Sequence, residues 1–327
     1  TVRVFGRVRC VEETVLMLTR RQLRIKVMQA VFSFQRQGPE DLKDLEKFIN
    51  SSMTQSYTLF LYMTQLLVKI HEVAVDKHTK KQQRISKSVE HNPSRQLIDN
   101  RILLKLRESE VLKDALKQRN LSPWELDSKY VENLYFKIQE SKTFVVYAMD
   151  EETSVKKDLK FLTYIYEDII APSDELLDYL EDINITWTDD YPLVNSTIIQ
   201  FLRKVKPTKD VVLPPLFKDQ EDAKFTMSLF RKTILNIDEL SSRIEGKTPN
   251  WDKDRIAQID LVLIMMAQAE FLYFADIPVK VTLNEYLEIA KDYSTPKSAN
   301  FINGILDNLL KEFQETDQLN KIGRGLM

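Results

Sequence analysis

The sequence predicts an all-helical fold, and three observations carry that prediction. Glycine is scarce, at six residues in 327, which argues against a nucleotide-binding α/β fold whose phosphate loops depend on glycine. Leu, Lys, Glu, Asp and Ile are in excess, a composition that favours helices. Apolar residues fall at i, i+3, i+4 spacing through the longer segments, the signature of helices with one face in a core.

Hydrophobic residues make up 43% of the chain, enough to bury a core in one large or two ordinary domains. The net charge is −2, so any nucleic-acid surface must be a local patch. The single cysteine, Cys10, excludes an internal disulfide framework and suits a reducing, cytoplasmic compartment. No uncharged apolar run of about 18 residues is present, so no membrane span is expected. Residues 1–16 carry Arg3, Arg7 and Arg9 without the continuous apolar stretch of a secretory signal. They read as an N-terminal extension, native or appended, with little role in the fold.

Leu18 to Gln35 reads as the first helix, with Leu23, Val27, Ala30, Val31 and Phe34 on its apolar face. Gln37-Gly38-Pro39 ends it. Asp41 to about Val75 is helical again and strongly apolar from Leu59 to Val68. A polar, basic run from Asp76 to Arg84 follows, then a loop around Asn92-Pro93, and helices return from Gln96.

The three tryptophans, Trp124, Trp187 and Trp251, stand 63 and 64 residues apart. Each closely follows a cap residue (Ser122, Thr186, Asn250) and has an aspartate three residues on (Asp127, Asp190, Asp254). An apolar run, a polar break and a short helix precede each one. A further helix follows each: Val131–Ile138, Val194–Leu202 and Ile256–Leu272. This pattern reads as three copies of one helical unit of about 64 residues. The rings themselves are expected to pack against neighbouring helices; base stacking is the other reading.

From Asp276 to Leu306 two helix starts are legible. Thr282 with Glu285 three residues on has the form of a capping box. Thr295-Pro296 has the form of a cap followed by proline at the first helical position. Asn303-Gly304 would let a neighbouring backbone approach closely.

Catalysis finds little support. His71, His78 and His91 are scattered, no His/Cys/Asp/Glu grouping has metal-ligand spacing, and phosphate-loop and nucleophile-elbow motifs are missing. We expect no enzyme activity, no cofactor and no metal. Nucleic-acid binding has a better candidate. Arg20, Arg21 and Arg24 are three and four apart on one helix, and guanidinium forks suit phosphates and guanine edges. A solvated helix face gives the same pattern.

A resemblance adds to this reading. Pro278-Val279-Lys280-Val281, Asn284-Glu285, Glu288-Ile289-Ala290-Lys291, Ser298 and Phe301-Ile302-Asn303-Gly304-Ile305-Leu306 resemble the C-terminal signature of the NusB transcription antitermination factors. Arg20-Arg21-Gln22-Leu23-Arg24 through Gln29-Ala30-Val31-Phe32-Ser33-Phe34 resembles that family's first helix, and Met17 stands where its members begin. The resemblance covers about half of the chain. It implies a NusB-like double helical bundle made from residues 17–36 and 219–316, with a repeat-built helical insertion at 37–218 and a tail at 317–327. In this the chain resembles the long form with a helical insertion associated with Bacteroidota-type bacteria.

The resemblance further implies a non-catalytic role: binding boxA single-stranded RNA with NusE, a small-subunit ribosomal protein, and joining RNA polymerase and other Nus factors at ribosomal RNA operons. Arg20, Arg21, Arg24, Gln29 and Phe301 match positions on or close to the family's RNA surface. Lys297 adds a positive charge where members often carry an acid. Phe32 and Asp260 match positions facing NusE, with Phe32 replacing a common tyrosine. Two alternatives stay open. One is the front domain of an RNA cytosine methyltransferase, although no glycine-rich methyl-donor motif follows. The other is a helical interaction module that has lost RNA binding, which requires the three arginines to be paired with acids or buried.

Overall fold

The computed structural model describes residues 17–37, 42–84, 95–150, 152–245, 247 and 257–322. The described residues form fifteen α-helices, one π-helical turn and no strand. The helices are α1 (Arg20–Gln37), α2 (Leu42–Arg84), α3 (Arg95–Ile98), α4 (Arg101–Glu108), α5 (Glu110–Gln118), α6 (Ser128–Glu140), α7 (Lys142–Met149), α8 (Val155–Ile165), α9 (Asp174–Ile183), α10 (Trp187–Lys204), α11 (Gln220–Leu235), α12 (Ile237–Glu245), α13 (Gln258–Tyr273), α14 (Val279–Tyr293) and α15 (Ser298–Glu315). The chain divides into two compact units. Among the described residues, one holds Met17 and residues 54–216; the other holds residues 18–53 and 217–322.

The second unit is built around α13. Eight consecutive residues of α13, Val262 to Ala269, are buried, followed by Glu270 and Phe271. Such a helix is apolar on every face because neighbours cover it all round. α1, α11, α12, α14 and α15 all pack against it. Ile302, Ile305, Leu306, Leu309 and Phe313 give α15 the i, i+3, i+4 stripe that meets it. Beyond α15 the chain returns to the end of α13. The Lys321 ammonium donates to the Glu270 and Phe274 carbonyls (3.2 and 2.8 Å), and the Ile322 amide donates to the Ala275 carbonyl (3.0 Å). A cation there satisfies carbonyls that a helix end leaves open.

In the first unit, α2 supplies Leu59, Phe60, Leu61, Met63, Leu66, Leu67 and Val68 to the core. The basic run to Arg84 continues this helix rather than breaking it. α2 is also long and apolar enough, by composition, to cross a membrane, although two thirds of its most apolar window is buried inside the protein. Trp124 and Trp187 are core residues. The Trp124 indole donates to the Tyr62 carbonyl (3.0 Å), and its ring lies 4.8 Å from Tyr62 and 5.4 Å from Tyr179. Trp187 lies 5.4 Å from Tyr62. Trp251, Asn250 and Asp254 lie outside the described residues, as do Cys10, His91, Gly38-Pro39 and Asn92-Pro93.

A helix triplet can be drawn in each of three segments: α4, α5, α6; then α8 with its π-helical extension Tyr166–Ile170, α9, α10; then α11, α12, α13. Residues 97–150 also hold the end of α3 and all of α7, which have no counterpart among the described residues of 155–206 and 219–275. Ser109 and Ser173 each cap the middle helix with a side-chain oxygen. One detail differs: Trp124 sits in the linker at φ 69°, whereas Trp187 is the first residue of its helix.

Two local expectations are corrected. α14 starts at Val279 with Pro278 as its cap, so Thr282 lies inside the first turn rather than at the cap. Thr282 is buried and donates to the Glu270 carboxylate (2.7 Å), while Glu285 faces Arg21. A fixed-φ proline had already set the helix start four residues earlier. At Gly304 an added Cβ would meet nothing within 4 Å, so no backbone packs there.

Candidate nucleic-acid interface

The basic start of α1 sits against acids supplied from far along the chain, and every group involved belongs to the second unit. Arg20 Nε donates to Asp222 Oδ1 (2.9 Å) with its side chain 40% exposed. Arg21 makes a fork to Glu285 (3.0 and 2.9 Å) and is 37% exposed. That bond, with Glu288 and Asp292 nearby on α14, holds the Arg21 charge above its ordinary pKa.

Arg24 is different. Its side chain is 2% exposed and forks onto both oxygens of the buried Glu270 (2.9 and 2.7 Å). Burial alone would weaken the Arg24 charge, but the adjacent, hydrogen-bonded Glu270 carboxylate outweighs it and raises the pKa. The guanidinium lies 5.0 Å from the Phe225 ring centre and 5.9 Å from that of Tyr286. Glu270 also accepts from Thr282 Oγ1 (2.7 Å) and the Tyr286 hydroxyl (3.2 Å). With four donors, this carboxylate meets the requirement that buried charges be paired and hydrogen-bonded.

This corrects the expectation for Arg24. A side chain covered on all sides has no phosphate-facing surface, and its charge is spent on Glu270. Asp260 is corrected for the same reason. It is buried and accepts from Ser294 Oγ (2.6 Å) and Ser298 Oγ (2.7 Å), pinning the turn between α14 and α15. A partner protein cannot reach it. α15 begins at Ser298 with Lys297 as its cap, which corrects the expectation of Thr295 as cap and Pro296 as first helical residue. The Thr295 hydroxyl instead lies 2.8 Å from Ser298 Oγ and joins this network.

The remaining sequence candidates are accessible. Gln29, Phe32 and Phe301 are half-buried, Lys297 is exposed, and Arg36 lies 5.3 Å from the Phe32 ring centre. Arg20 and Arg21 line an open cleft of about 820 Å³, whose lining does not include Lys297 or Phe301. Five acids (Asp219, Glu221, Asp222, Asp276, Glu285) line it beside four cations (Arg20, Arg21, Arg24, Lys218). This surface is therefore charged but not basic. Among the described residues no cluster of His, Cys, Asp or Glu could hold a metal.

Sequence reasoning missed the Glu270 node. One signal could have found it: Glu270 is the only acid between Leu261 and Phe274 in an otherwise apolar helix. A lone carboxylate in such a run calls for a buried cation.

Residues 195–311 match the sequence profile described as the NusB family. The transcription antitermination protein NusB of Salinibacter ruber is 43% identical over 117 residues, covering 36% of this chain and 73% of that protein. The chain belongs to the NusB family. The NusB of Methylacidiphilum infernorum is 33% identical over 127 residues (36% of this chain, 89% of that protein). The NusB of Chloroherpeton thalassium is 39% identical over 122 residues (37% and 58%). No solved structure matches the chain. The NusB match begins before residue 219, where the sequence reading started the C-terminal part of the bundle, and it takes in the end of α10. Its members are antitermination factors and not enzymes.

Proposed function

We propose that this protein is a transcription antitermination factor of the cytoplasm. It would bind boxA single-stranded RNA together with NusE and join the RNA polymerase elongation complex at ribosomal RNA operons. The observation that carries the reading is the similarity to curated antitermination proteins, 43% identity over most of one relative's length. Arg20 and Arg21, both partly exposed at an open cleft, supply phosphate contacts. Gln29, Lys297 and Phe301 contribute polar, charged and stacking contacts on the same reading. Phe32 faces the protein partner. Fluorescence titration of a boxA RNA with and without NusE at low salt tests this. Salt-sensitive binding that tightens with NusE is expected; no binding in either case overturns it.

A second reading is favoured by a specific observation. Arg20, Arg21 and Arg24 are each paired with a carboxylate, as a helical interaction module without RNA affinity requires. The same titration separates the two.

For the insertion, the even spacing of the tryptophans and the recurring helix triplet motivate the proposal that a helical unit was duplicated, with α7 as the departure from it. Superposing residues 97–150, 155–206 and 219–275 tests this, and mismatched helix axes would end it.

A further inference from the structure

The three arginines of the α1 cleft are each paired with an acid, so the larger share of the phosphate-binding charge should lie elsewhere. Two clefts of the described surface are richer in cations than in acids. In the one on α11, Lys224 and Arg231 are held by Glu221 and Glu46, which leaves the other as the contrasting place. Where α10 ends, Arg203, Lys204, Lys206 and Lys209 line an open cleft of about 510 Å³ whose one acid is Asp210. All four cations are exposed. Asp210 is itself approached by Lys105 at 3.6 Å, which adds a fifth cation. Arg203 meets Glu167 only at 3.9 Å, and among the described residues neither Lys206 nor Lys209 forms an ion pair.

Helix structure explains part of this cluster. Cations in the last turn complement the negative end of the helix dipole, which accounts for Arg203 and Lys204. It does not account for Lys206 and Lys209, which lie beyond the C-cap Val205 on an irregular segment. That segment carries Pro207, Pro214 and Pro215 and exposes Val212. Prolines restrict the backbone and so limit the entropy lost on binding. A pre-shaped, cation-rich groove without exposed acids, apart from one already approached by a lysine, complements a polyanion backbone.

We propose that the cleft formed by Arg203, Lys204, Lys206 and Lys209 at the end of α10 is a phosphate-backbone site for single-stranded RNA. The inference rests on the RNA-binding reading above and moves the main electrostatic contact from α1 to this segment. The site reads backbone charge, not sequence, because its lining includes no exposed aromatic ring for base stacking.

The test compares a fluorescein-labelled boxA RNA titrated onto the full chain, onto Arg203→Ala/Lys206→Ala/Lys209→Ala, and onto Arg20→Ala/Arg21→Ala, at several salt concentrations. The α10-end variant should weaken binding about tenfold or more and lower the salt slope by about 2, since each lost phosphate contact on a single strand removes about 0.7. The α1 variant should change the slope less. Photocrosslinking with 4-thiouridine RNA should map to residues 203–212. If the full chain binds but the α10-end variant binds equally, with crosslinks elsewhere, this inference is overturned and the RNA-binding reading stands. If the full chain does not bind, both fall. Unchanged circular dichroism in the variants ensures that lost binding is not lost fold.

Discussion

Arg24 and Glu270 meet through two parallel hydrogen bonds inside the NusB-like unit, although 246 residues separate them in sequence. Removing either partner leaves the other charge buried and alone. We expect Arg24→Ala or Glu270→Ala to cost about 3–5 kcal/mol in urea unfolding. The paired replacement Arg24→Met/Glu270→Leu should cost much less than the sum of the two. Single variants within about 1 kcal/mol of wild type would show that the pair is not structural.

The Asp260 carboxylate ties Ser294 to Ser298, fixing the turn into α15. Asp260→Ala would strand two hydroxyl donors. We expect a loss of about 1–3 kcal/mol. Binding to NusE should survive at saturating, folded protein. Loss of partner binding without loss of stability would return Asp260 to the interface.

His71 is buried, and its Nε2 lies 2.8 Å from the Ile98 carbonyl; Nδ1 has no partner. Burial lowers its pKa, with a smaller push from Arg107, against the opposing effects of the Ile98 carbonyl, Glu72 and Asp99. A histidine depressed in the folded state contributes stability above its unfolded pKa of about 6.5 and loses it as pH falls toward the folded value. Wild type should therefore lose more stability than His71→Gln between pH 7.5 and 5.5. Equal losses in urea titrations at the two pH values would count against this.

At Gly304, on the open side of α15, alanine has room. Gly304→Ala should stabilise the protein by about 0.5–1 kcal/mol through helix propensity. A lower thermal midpoint would mean that an unseen contact needs the bare backbone.

The helices themselves were legible. Period placed α1, α14 and α15 within a few residues because each has an apolar stripe, and α13 was found as a continuous apolar run. The caps read for α14 and α15 were not the ones used. The fate of the arginines was not legible. Spacing puts Arg20, Arg21 and Arg24 on neighbouring faces, but only tertiary contact decides which face turns inward. Arg24 is drawn inside by Glu270, on a helix near the other end of the chain. The capping-box reading of Thr282 failed for a related reason: a hydroxyl that looks like a cap in isolation found a buried carboxylate instead. Lys206 and Lys209, beyond the end of α10, were equally hidden. Their significance depends on which of the many charges have neutralising neighbours, and sequence does not show that.

The separation of Arg24 from Glu270 also sets an order of events during synthesis. At about 5–20 residues per second, roughly ten to fifty seconds pass between the two leaving the ribosome. Throughout that interval the first helix carries a cation with no counter-ion, while residues 54–216 emerge complete and free to fold. The nascent NusB-like core must wait for its final third, so a stalled or truncated message would release a chain whose bundle cannot close.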